Sequence, residues 1–96
     1  MNEHFNQLTP AEDERLALLM EEAAEVIQVV CKIQRHGYES QHPGGGPTNR
    51  GLLEKELGDV LAALELLAHS VDVDQHSIYL YKAEKLENVK RWLHHQ

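Results

Sequence analysis

The chain has 96 residues and a mass of 11.0 kDa. That is enough for one domain at the usual scale of about 100–200 residues, and no second domain is expected within residues 1–96. Sixteen Asp plus Glu against nine Lys plus Arg give a net charge of -7, which argues against nucleic acid or an anionic membrane as the main partner. A single cysteine, Cys31, excludes an intrachain disulfide and a thiolate zinc site, and no apolar run reaches the roughly 18 residues of a membrane span. The start, MNEHFNQLTPAEDE, has neither the basic opening nor the apolar core of a signal peptide, so the expected location is cytoplasmic.

Leu, Ala and Glu are abundant, aromatics make up only 5%, and β-branched runs are scarce, which favours an all-α fold. Thr9-Pro10-Ala11-Glu12 combines a capping hydroxyl, proline at the first helical position and a glutamate three residues after the cap. A helix over about 10–36 follows, with Leu16, Leu19, Met20, Ala23, Val26, Ile27, Val30 and Ile33 as its apolar stripe and Gly37 as its stop. Leu18 and Val29 lie outside that stripe and widen the apolar arc. GYESQHPGGGPTN, residues 37–49, holds two prolines and four glycines and reads as a loop, expected to form a lid or to contact a bound base.

Thr48 or Asn49 caps a second helix bearing Leu52, Leu53, Leu57, Val60, Leu61, Leu64, Leu67 and Ala68. Asp72 or Asp74 caps a third, expected over about 75–93, with Ile78, Tyr81, Leu86, Val89, Trp92 and Leu93 as its stripe. At about 1.5 Å per residue these helices run from roughly 30 to 40 Å, too long for three of them to close a core alone. The expected fold is a bundle of three main helices per chain, completed by homo-oligomerisation.

The charges are unevenly placed. Residues 1–30 hold seven acids and one basic residue, and residues 51–76 hold six acids and one basic residue. Within these blocks stand Glu22-Ala-Ala-Glu25 and Glu56-Leu-Gly-Asp59, each pair spaced i, i+3 so that both carboxylates share one side of a helix. On a wheel of about 100° per residue, Glu25 and Asp59 fall at the same angle from their partners, and Glu22 and Glu56 border the apolar faces. Two such helices packed together would bring four partly desolvated carboxylates face to face, a repulsion that divalent cations relieve. All-oxygen ligation suits Mg²⁺ or Mn²⁺, whereas zinc would want histidines nearby and a di-iron bundle would want a helical ExxH.

LLMEEAAEVIQVVCKIQRHG followed by NRGLLEKELGDVLAALELL resembles the MazG-like, all-α nucleoside triphosphate pyrophosphohydrolase superfamily, whose signature is EExxE in one helix and ExxD, often as ELGD, in the next. The motifs stand here as Glu21, Glu22 and Glu25, then Glu56 and Asp59, and the likeness covers roughly residues 15–92. It implies homodimers or homotetramers that bind Mg²⁺ through Glu22, Glu25, Glu56 and Asp59 and split a (deoxy)nucleoside triphosphate into monophosphate and pyrophosphate, in control of the nucleotide pool. Glu21 is then expected to position the attacking water or to support the ligands.

Phosphate or base contacts are expected from Lys32, from Asn49 and Arg50 at the second helix's N-terminus, and from Lys82, Lys85 and Asn88, an i, i+3, i+6 ridge on the third helix. The resemblance also implies phosphate binding by lysines of the third helix. Phosphoribosyl-ATP pyrophosphohydrolases are similar in length and acidic motifs, but their second helix resembles DLLYHLLVLL where this chain has DVLAALELL. They are the alternative enzyme reading. A non-catalytic metal-binding helical scaffold is the alternative of another class.

Overall fold

A computed structural model describes residues 6–96; the first five residues of the polar N-terminal stretch lie outside that range. Three helices follow in order, α1 (Pro10–His36), α2 (Asn49–His69) and α3 (Gln75–Asn88), and Val89–Arg91 adds one 3₁₀ turn. The chain is all-α; the only strand-like feature among the described residues is a single bridge between Gln41 and Thr48.

Each helix starts where its sequence provides a cap. The Glu12 amide donates to Thr9 Oγ1 at 3.1 Å while the Thr9 amide donates to the Glu12 carboxylate at 2.8 Å, so two otherwise unpaired amides at the start of α1 are satisfied reciprocally. Thr48 Oγ1 accepts from the Gly51 amide at the start of α2. Asp74, rather than Asp72, caps α3 by accepting from the Ser77 amide at 3.1 Å.

α1 and α2 form an antiparallel hairpin tied at both ends. At the loop end, the Arg50 amide donates to the Tyr38 carbonyl and the Asn49 amide to the Ser40 carbonyl. The buried Asn49 side chain donates to the Gly37 carbonyl at 3.1 Å, which fixes the exit of α1 to the entry of α2. At the far end, the Arg15 guanidinium makes a two-pronged ion pair with Asp72. Asp72 reaches it through a turn in which the Asp72 amide donates to the Leu67 carbonyl and the Val71 amide to the Ala68 carbonyl. That pattern demands a left-handed residue after the helix, and here Val71, not glycine, takes φ 61°.

Two expectations need correction. The third helix stops at Asn88 instead of continuing to Leu93, because Asn88 and Val89 are poor helix formers and the end tightens into the 3₁₀ turn, with the Trp92 amide bonded to the Val89 carbonyl. The packed face of α1 is also rotated from the expected stripe. The seam against α2 runs through Leu18, Leu19, Glu22, Glu25, Val26, Val29 and Ile33, meeting Leu52, Leu53, Glu56, Asp59, Val60, Ala63 and Leu67 of α2. Val29, Ala63 and Leu67 form its buried apolar centre. Leu16, Met20, Ile27 and Val30 of α1, with Leu57 and Leu61 of α2, stay exposed. The apolar arc is too wide for one partner, and the intrachain partner takes the margin that carries the carboxylates.

α3 leaves the hairpin almost without contact. The radius of gyration is accordingly 17.2 Å, against about 12.5 Å for a compact chain of this length. An open groove of about 830 Å³, lined by Leu61, Leu64, Ala68, Ile78 and Tyr79 among others, separates α3 from the second half of α2.

Candidate metal centre

The antiparallel seam converts two i, i+3 pairs into one group. One oxygen each from Glu22, Glu25, Glu56 and Asp59 lies within 4.8 Å of the others. Glu56 is buried at 8% exposure and the other three are half-buried. The packing responsible is local: Leu52 and Ala63 border Glu56 on α2, and Leu18 and Val29 border Glu22 on α1.

The electrostatics of the group are unfavourable without added positive charge. Contact with the Glu56 carboxylate, added to repulsion from Glu56 and Glu22, pushes the Glu25 carboxyl up to about 7. Glu22 is raised chiefly by burial, then by the charges of Asp59, Glu21 and Glu56. Glu22 Oε2 and Glu56 Oε2 are buried and have no hydrogen-bond partner. An unpaired buried carboxylate oxygen is costly, and a cation seated among the four residues would satisfy both. The donor set is all carboxylate, which fits a hard divalent ion.

A family model, MazG nucleotide pyrophosphohydrolase domain, matches residues 11–94. The chain belongs to this family. The matched range spans α1, α2 and α3 and includes all four carboxylates. MazG proteins are nucleotide pyrophosphohydrolases, enzymes that cut phosphoanhydride bonds, and the family typically uses divalent metals. Among curated proteins and among solved structures, none matches the chain.

The other residues expected from the sequence to serve the site stand outside this group of four. Glu21 is exposed and outside it, acting on Glu22 and Glu25 only through its charge. Lys32 is exposed on α1. Asn49 is buried with its amide spent on the Gly37 carbonyl, so in this chain it fastens the loop. Arg50 is held by Glu39 at 2.7 Å and stacks 4.3 Å from the Tyr38 ring centre. Lys82, Lys85 and Asn88 are exposed on α3, and Lys82 lies 5.5 Å from the Tyr79 ring centre. Because α3 stands away from the hairpin, this ridge is not packed over the carboxylates of its own chain.

One residue beside the group escaped the sequence reading. Lys55 Nζ donates to Asp59 Oδ2 at 2.8 Å and to Glu56 Oε1 at 3.5 Å, and its ammonium is held above its usual range chiefly by the Asp59 contact. The i, i+4 spacing of Lys55 and Asp59 was the available signal.

Proposed function

We propose that the chain hydrolyses a nucleoside triphosphate to the monophosphate and pyrophosphate, using Mg²⁺, or Mn²⁺ in its place, held by Glu22, Glu25, Glu56 and Asp59. The observation that carries this reading is the convergence of four carboxylates with two buried oxygens that lack partners. A divalent cation bound there supplies positive charge to the phosphate oxygens and makes a nearby water easier to deprotonate. The chain's own residues supply the rest. Glu56, buried and fixed by the seam, sets the depth of the site together with the buried oxygen of Glu22, while the less buried Asp59 and Glu25 line the approach. Glu25, with its carboxyl titrating near neutrality, loses its proton as the site fills. In this reading Glu21, exposed on α1, orients water from the rim or supports the ligands through its charge.

The active unit in this reading is a homodimer or homotetramer. Met20, Ile27 and Leu61 are each more than 60% exposed, and the groove beside α3 is lined mainly by apolar side chains, surface that a second copy would cover. Assembly would also bring α3 of one copy to the hairpin of another, placing Lys82 and Lys85, with Asn88, to receive phosphates. Lys32 and Arg50 are further phosphate contacts in the same reading, and Asn49 orders the loop beside them. No helix among the described residues is long and apolar enough to cross a membrane. We place the enzyme in the cytosol, where its nucleotide substrates are.

The test is pyrophosphate release from a panel of canonical and modified nucleoside triphosphates and from phosphoribosyl-ATP, with Mg²⁺, Mn²⁺ or EDTA. Metal-dependent release that Glu56→Ala abolishes supports the reading and ranks the substrates. Release by a folded Glu56→Ala protein at the wild-type rate refutes it.

A further inference from the structure

Lys55 sits on α2 one residue before Glu56 and one turn before Asp59. Its ammonium contacts an oxygen of each, at 3.5 and 2.8 Å. Among the described residues, Arg15, Arg50 and Lys90 pair with Asp72, Glu39 and Glu87, all outside the four-carboxylate group, so Lys55 is the cation this group has of its own. The contact is at the rim. The Lys55 side chain is 64% exposed and that of Asp59 39%, and the unpartnered oxygens Glu22 Oε2 and Glu56 Oε2 lie deeper, where the ammonium does not reach. An exposed i, i+4 pair is weak, which is what a contact made to be exchanged requires. An ion ligated by Asp59 would also stand against the ammonium as a like charge.

We propose that Lys55 is a displaceable counter-ion of the metal centre: it holds Asp59 while the site is empty, gives it up when a divalent cation enters, and then presents its ammonium at the rim to the phosphates of the substrate. This rests on the metal reading of the four carboxylates. The chain thereby offsets part of the repulsion at the rim of the cluster before metal arrives, and reuses the same charge once metal has taken its place. Lys55 acts on metal uptake as a positioning residue through Asp59, and on substrate through its own ammonium.

The experiment is calorimetric titration of Mn²⁺ into wild type, Lys55→Met and Lys55→Arg without nucleotide, with circular dichroism to verify the helices. Lys55→Met should bind Mn²⁺ about two- to fivefold more tightly than wild type, the range expected from removing one weak competing pair. Lys55→Arg, which keeps the charge, should not tighten. In an Asp59→Asn background, Lys55→Met should lose most of its effect, because the contact through which it acts is gone. In turnover assays at saturating metal, Lys55→Met should raise KM more than it lowers kcat. Wild-type uptake of Mn²⁺ with equal or weaker uptake by Lys55→Met overturns the assignment of Lys55 alone. Absence of Mn²⁺ binding by the wild type overturns the metal reading and the Lys55 assignment with it.

Discussion

The carboxyl of Glu25 on α1 abuts that of Glu56 on α2, and the contact keeps Glu25 protonated up to a pH of about 7. Its ordinary value is 4.5, so folding raises it. A group raised in this way contributes stability that is complete below the unfolded value and is lost as pH rises through the folded one. The metal-free protein should therefore lose thermal stability between about pH 4.5 and 7, and little more from this group above that. Added Mg²⁺ should raise Tm more at about pH 8 than at about pH 5, because at the lower pH it must expel the Glu25 proton. Thermal melts with EDTA and with Mg²⁺ across this range check both signs. A metal effect larger at the acid end would contradict this account of the cluster.

Glu56→Gln should separate stability from activity. The substitution removes the most buried charge of the group and lets an amide donate to Glu25, so the metal-free variant should melt higher than the metal-free wild type. Turnover should fall by at least about 100-fold, the scale of losing one electrostatic contributor at a reacting centre. Melting and pyrophosphate release measured on one preparation test the pair of outcomes, and a variant both less stable and fully active would contradict the structural argument.

Val71→Gly should stabilise the chain. A β-branched residue at φ 61° strains the turn that delivers Asp72 to Arg15, and glycine adopts that conformation without the Cβ clash. The gain should be about 1 kcal/mol, or roughly 4–8 °C in Tm for a domain of this size. Val71 is 83% exposed, so little packing is lost. Urea unfolding with an unchanged slope and a higher midpoint would confirm it.

Leu61→Glu should dissociate the proposed oligomer without unfolding the hairpin. Leu61 is 66% exposed within the chain, so a charge there disturbs no intrachain packing, yet it lines the groove beside α3. Sedimentation equilibrium should find wild type as a dimer or tetramer and the variant shifted towards monomer. A monomeric wild type at tens of micromolar would defeat the oligomer reading.

Leu67→Ala tests the seam itself. Leu67 is 2% exposed beside Ala63, and its truncation should cost about 2–5 kcal/mol, measured by urea unfolding of the metal-free protein.

The sequence by itself determined the three helices, except where α3 ends, and the identity of the four carboxylates, because these are local. Thr9, Thr48 and Gly37 mark boundaries by satisfying or ending backbone bonds within a turn of themselves, and the i, i+3 spacing places Glu22 beside Glu25 and Glu56 beside Asp59 on any α-helix. Which side of α1's wide apolar arc packs inside the chain was not local. Leu16, Met20 and Ile27 are as apolar as Leu18 and Val29, and only the hairpin geometry, fixed by Asn49 on Gly37 at one end and Arg15 on Asp72 at the other, put the carboxylate margin into the seam. The same long-range closure buried Glu56, set Lys55 at the rim of the cluster, and left the lysines of α3 away from the hairpin. Periodicity gives a residue's angle on its helix; which neighbour that angle meets depends on how distant segments close, and that only the tertiary structure decided.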